Sequence, residues 1–137
     1  TGSVYFSSDP ANPDTYTKFF CDVQMYTTTM PQPDPEKFMD QYCSWEFATK
    51  ANKWQGRNIT RWSNPEYDAT YTAAQSEMDP IKRAAMFIKM NELAVAGVCI
   101  IPVVYRPRTS GALNNLVAPL SGWDNDLWLL KDWYRNT

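Results

Sequence analysis

Apolar positions recur at helical spacing most clearly after Asp79-Pro80, where Ile81, Ala84, Ala85, Ile88 and Val95 alternate with Lys82, Lys89 and Glu92. The pattern predicts a helix from Asp79 to about Ala96, with Ile88 facing a core, Lys89 facing water and Gly97 ending the element. Asn64-Pro65-Glu66 opens a second helix running to about Glu77: Asn64 caps, Pro65 gives up no needed donor, and Glu66 complements the positive end. A third, shorter helix is expected from Glu36 to Tyr42, after the Pro31–Pro35 stretch and with Asp34 as its cap. Val98 to Tyr105 is continuously apolar and β-branched, the pattern of a strand buried on both faces, with Pro102 marking an edge or the end of pairing. Val4 to Ser7 and Cys21 to Thr28 are further strand candidates, and Thr15 to Phe20 is a turn or two of helix. Together these elements point to a mixed α/β (α+β) class.

Length and composition narrow the function classes. A chain of 137 residues with 44% hydrophobic residues can build one sizeable core. Its net charge of −2, from scattered charges, offers no basic face for nucleic acid. Leu93 to Tyr105, the longest nearly apolar run, has 13 residues and contains a proline, too short to cross a bilayer. The absence of histidine removes Ser-His-Asp and Cys-His catalysis and any His-ligated metal, and no cofactor is expected. Cys21, Cys43 and Cys99 form no Cys-x-x-Cys; a Cys21–Cys43 disulfide stays open, and Cys99 reads as a core thiol. The chain opens directly on Thr1-Gly2-Ser3, so either a leader has been removed or this is a piece of a longer protein.

Candidate chemistry concentrates between Cys43 and Trp62, where Trp45, Trp54 and Trp62 occur with Asn52, Gln55, Arg57 and Asn58. Such tryptophans form an aromatic platform for a peptide side chain, sugar or opine-like solute, with Arg57 or Arg61 pairing a carboxylate; the alternative for each ring is ordinary packing. Asp79 and Arg83 have the spacing of a helix-start ion pair. Asn58-Ile59-Thr60 has the form of a glycosylation sequon, accidental in a bacterial protein. Beyond Arg106 the composition changes to a small-residue loop and then to an aromatic tail with Trp123, Trp128, Trp133 and Tyr134, a candidate surface for self-association. Asp124 and Asp126 beside these tryptophans leave a small carboxylate-dependent hydrolase as one alternative, and a protein–protein interaction module as another.

Five features fall in a recognisable order: Pro33-Asp34-Pro35-Glu36-Lys37-Phe38-Met39, Asn64-Pro65-Glu66-Tyr67-Asp68, Ala73-Ala74, then Asp79 with Arg83, and Ile101-Pro102-Val103. In this the chain resembles the C-terminal part of family 5 extracellular solute-binding proteins, the peptide- and nickel-type binding components of ABC importers. The resemblance implies a non-enzymatic fragment of a periplasmic-binding-protein type II-like fold. Residues 1–105 would belong to the second α/β lobe, and residues 106–137 would cross back to complete the first. It implies a periplasmic or extracellular location, with a lipoprotein anchor in the full-length form, and an ABC permease as partner. Tyr26, Thr27, Thr28, Thr29 and Met30, just before the proline motif, would line the ligand cleft. One departure bears on the ligand: where peptide binders carry Trp-x-x-Asp, this chain has Thr28 and Pro31, so the ammonium anchor is missing unless Asp22 or Asp34 replaces it. Without histidine, a histidine-assisted nickel complex is disfavoured.

Overall fold

A computed structural model describes residues 1–105, 107, 109, 111–119 and 129–136. The chain divides into two units, residues 1–30 with 34–101, and residues 31–33 with 102–137. The described elements are α1 (Gly2–Tyr5), α2 (Glu36–Met39), α3 (Pro65–Ser76), α4 (Pro80–Ala96), β1 (Leu116–Val117) and β2 (Tyr134–Arg135), with short 3-10 turns between them. Helix and a small sheet coexist, a mixed α+β composition. The smaller unit carries the antiparallel β1–β2 ladder, in which Leu116 faces Arg135 and Val117 faces Tyr134.

The first unit is organised by α3 and α4, whose starts follow directly from local chemistry. Asn64 Oδ1 accepts from the backbone N–H of Glu66 (2.9 Å) and Tyr67 (3.2 Å), and Asp79 Oδ1 accepts from Ile81 (2.9 Å) and Lys82 (3.3 Å). Proline fills the first helical position of each, where its missing N–H costs nothing. The two helices pack through Tyr67, Tyr71 and Ala74 on α3 and Phe87, Met90 and Ala94 on α4, joined by Met39 and Cys43 from the α2 segment. At the centre, the fully buried Tyr67 hydroxyl donates to the Met39 carbonyl at 2.7 Å. Apolar surroundings push the phenol pKa of Tyr67 upward, so it remains a neutral donor.

The apolar face of α4 is not the expected one. Ile88 is 61% exposed and Ile81 81% exposed, and Ala84, Ala85 and Val95 are exposed with them, whereas Phe87, Met90 and Ala94 form the core. α4 carries two apolar stripes, and contact with α3 selects the one bearing the larger Phe and Met side chains. Gly97 does follow the last helical residue, but its role is space. Its φ is an ordinary −74°, the left-handed residue is Val98 (φ 53°), and a Cβ at position 97 would sit 2.6 Å from Trp62 Nε1.

Arg83 forms no pair with Asp79. Its guanidinium bonds Asp34 (2.6 and 3.1 Å) and Glu36 (2.8 Å) at the start of α2, and its Nε donates to the Ala74 carbonyl near the end of α3 (3.1 Å). It also lies 4.8 Å from the Phe87 ring centroid, so one side chain ties three helices together. Asp34 additionally accepts from Glu36 N–H (2.9 Å), but the N-cap position of α2 is Pro35, which makes no side-chain cap bond, so Asp34 is not the cap expected there.

Three expected strands are absent from the described residues. Val4 to Ser7 overlaps helix α1; Cys21 to Thr28 is irregular; and Val98 to Tyr105 has no ladder partner, with Tyr105 89% exposed. A strand requires a neighbour to take its N–H and C=O groups, and among the described residues no chain lies alongside these segments to do so. No described helix is long and apolar enough to cross a membrane.

The Arg83 contacts hold the Asp34 carboxyl below its ordinary value of 3.8, chiefly through the side-chain hydrogen bond. A carboxylate favoured in the folded state stabilises above its unfolded pKa, and that contribution disappears as pH falls through the lowered folded value. Asp34→Asn, which keeps an acceptor for Glu36 N–H but removes the charge, is therefore expected to be less stable than wild type at neutral pH. The difference should close in the acid range below about pH 4, as followed by urea denaturation across a pH series.

Candidate functional site

The loop from Cys43 to Trp62 has no regular element of length, yet it is tightly specified. Asn58, 1% exposed, donates from Nδ2 to the carbonyls of Tyr42 (3.1 Å), Cys43 (3.0 Å) and Trp62 (2.9 Å). Its backbone completes a parallel bridge to Phe47, with Asn58 N–H donating to Glu46 C=O (2.7 Å) and Ala48 N–H to Asn58 C=O (3.1 Å). With its amide enclosed in this way, Asn58 is not an accessible glycosylation acceptor. Next to it, Arg61 spans to the N-terminal segment, donating to the carbonyls of Lys18 (3.3 Å), Phe19 (3.2 Å) and Ala48 (3.2 Å). Its guanidinium is committed to backbone and does not face a solute.

These clamps set a cavity of about 300 Å³ between the N-terminal segment and the loop, within the size range of small-molecule sites. One wall comes from Phe6, Ser7, Ser8, Asp9, Tyr16 and Thr17; Tyr26 and Thr28 contribute a second; Lys53, Trp54, Gln55, Gly56 and Arg57 close the third. Phe6, Tyr16 and Tyr26 pack as one aromatic cluster, with Tyr16–Phe6 and Tyr16–Tyr26 centroids both 5.4 Å apart. Burial, with smaller contributions from Tyr16 and Tyr5, pushes the Tyr26 phenol pKa up and keeps the wall neutral there. Trp54 meets the edge of Phe20 at 5.7 Å, and the Lys18 ammonium sits 6.0 Å from its ring centroid. Lys53 and Trp54 both adopt left-handed backbone, φ 55° and 62°. Such conformations cost about 1–3 kcal/mol each and persist only where surrounding bonds hold them, as Trp54 N–H to Thr49 C=O (2.8 Å) does here.

The nine expected site residues separate into groups. Tyr26, Thr28, Trp54 and Arg57 meet at the cavity. Thr27, Thr29 and Met30 do not line it, although all three are exposed. Trp45 packs on Tyr71 with centroids 5.7 Å apart and donates to Asp40 (3.3 Å), while Trp62 packs on Tyr67 at 5.3 Å, so the three tryptophans make no common platform. Arg57 reaches the cavity already paired to Asp40 (3.3 Å) and bonded to Lys37 C=O (2.6 Å). Neither proposed substitute anchor is available at the cavity: Asp34 is held by Arg83, and Asp22 lies elsewhere on the exposed surface.

The residues that sequence reasoning missed are Asp9 and Lys53, a carboxylate and an ammonium on facing segments, and Gln41, whereas Gln55, one of the loop amides singled out in the sequence, also lines the cavity. Neither Asp9 nor Lys53 has an ion-pair partner among the described residues. Asp9 is fixed by accepting from Ala11 N–H at 2.9 Å, the turn bond by which its Ser-Asp-Pro context is recognisable in sequence. The described cysteines are all free: Cys21 is exposed, Cys43 is enclosed in the core and its thiol pKa is raised by burial, and the Cys99 thiol is pushed up to about 11. Cys99 follows α4 and donates to Ala94 C=O (3.3 Å) instead of lying in a strand. No group of three or more metal-ligating side chains occurs among the described residues. Asp124, Asp126, Trp123 and Trp128 lie outside the described residues. No family model, curated protein or solved structure matches the chain.

Asn58→Ala removes one donor group from three enclosed carbonyls and opens the wall carrying Trp54. Since an unsatisfied buried polar group costs about 1–3 kcal/mol, the substitution should destabilise the chain by about 3 kcal/mol or more, measured by chemical denaturation.

Proposed function

We propose that the chain is part of a solute-binding protein of the ABC-importer type, acting by binding and not by catalysis. In this reading residues 1–105 belong to the second lobe of a periplasmic-binding-protein type II-like fold and residues 106–137 lead back to the first. The observation that carries it is the meeting of Tyr26 and Thr28, from the segment before the proline motif, with Trp54 and Arg57 at one cavity. Rings, hydroxyls, amides and two opposite charges suit a small polar solute: the rings cover apolar surface, and the polar groups fix orientation. Asp9 and Lys53 favour a short peptide over a neutral sugar, because a zwitterion would satisfy both charges. Asp9 then takes the ammonium role left empty at Pro31. The same reading assigns a periplasmic or extracellular location and an ABC permease as partner.

A cavity belonging to one lobe covers only part of a ligand, so binding by this chain alone should be weak, with a Kd no tighter than about 1 mM. Titration with di- and tripeptides followed by NMR should move the Trp54 indole N–H signal and leave that of Trp45 in place. Trp54→Ala should abolish the saturable shifts of Tyr26 and Thr28. Sub-micromolar affinity, or shifts confined to residues away from the cavity, would contradict the proposal.

A further inference from the structure

We infer that the outward face of α4 is a self-association surface, pairing antiparallel with α4 of a second copy. Ile81, Ile88 and Val95 are spaced seven residues apart and drift only about 20° per heptad around a straight helix, so they form a single stripe. They are 81%, 61% and 41% exposed, on the side opposite Met90 and the core. A run of three β-branched side chains is an unusual water-facing surface for a helix whose other face already supplies the core.

The stripe is symmetric about Ile88, the midpoint of Pro80–Ala96. A two-fold axis at that point sets Ile88 against Ile88 and Ile81 against Val95, so the same patch complements itself. The flanks select the antiparallel direction. Glu92 and Lys82 lie on the same side of the stripe at about 100° per residue, and neither has an ion-pair partner among the described residues, whereas Lys89 is paired with Glu66 of its own chain. Antiparallel pairing brings Lys82 of each copy beside Glu92 of the other, twice per dimer. Parallel pairing would instead set this flank against the Ala84 and Asn91 flank of the other copy and form no such ion pair. On the other side of the stripe Asn91 meets Ala84, whose small side chain leaves room for it. An apolar groove of about 540 Å³, lined in part by Met39, Met78, Pro80 and Phe87, runs along that same side and receives the edge of the second helix. This surface is distinct from the cavity and does not depend on what the cavity binds.

Sedimentation equilibrium of the whole chain, from about 1 µM to about 1 mM, should show a monomer–dimer equilibrium. Ile88→Asp, at a position outside the core, should raise the dimer dissociation constant about tenfold or more. Lys82→Glu should weaken the dimer and Lys82→Glu with Glu92→Lys should restore it, a readout independent of how Ile88→Asp folds. In a Cys21→Ser background, Ile88→Cys should give a covalent dimer on mild oxidation. A strict monomer throughout, or a dimer that Ile88→Asp and Lys82→Glu leave unchanged, as association through the aromatic C-terminal segment would give, would overturn the inference.

Discussion

The buried amide of Asn58 is the interaction on which the first unit most depends. Its Nδ2 joins the chain leaving α2, at Tyr42 and Cys43, to the chain entering α3, at Trp62, and its backbone closes the intervening loop on Glu46 and Ala48. A loop of this length without regular structure would otherwise leave its own polar backbone groups unpaired near the core. Asparagine suits the position because its amide donates while its carbonyl still accepts from Thr60 at 3.2 Å. The adjacent Arg61 extends the same solution to the N-terminal segment. The cavity is therefore set by backbone carbonyls that the loop gathers, more than by apolar burial.

A second polar hub, Arg83, does for the helices what Asn58 does for the loop. It joins the entrance of α2, through the Asp34 and Glu36 carboxylates, to the end of α3, through the Ala74 carbonyl that the helix end leaves unsatisfied, and it lies over the Phe87 ring. Both hubs draw on side chains that a binding protein could equally spend on ligand. Such commitment to structure is the reason Arg61 and Asp34 drop out of the candidate site.

What was legible in the sequence is what local chemistry decides. The Asn64-Pro65 and Asp79-Pro80 starts follow from capping alone, and both helices lie where the pattern sets them. The face of α4 was not legible, because Ile81-Ile88-Val95 and Phe87-Met90-Ala94 are both valid apolar stripes and only the partner helix chooses. The strand expected at Val98–Tyr105 failed for a related reason: β propensity describes a surface that fits a neighbour, and the neighbour is not local. At the site, Tyr26, Thr28, Trp54 and Arg57 were legible from loop position and residue type. Asp9 and Lys53 were hidden in turns whose composition signals only turning, and Trp45 and Trp62 were lost to packing that no short-range pattern specifies.

The central claim is that the Cys43–Trp62 loop is a fixed wall, held by its hydrogen bonds as firmly as the helices it borders. Amide hydrogen exchange measured residue by residue tests it most directly. The account predicts that the backbone amides of Ala48, Trp54 and Asn58, bonded to Asn58, Thr49 and Glu46 respectively, exchange with protection close to that of the α3 and α4 interiors. Exchange of these amides at the rate of an unstructured chain, while α3 and α4 stay protected, would contradict it.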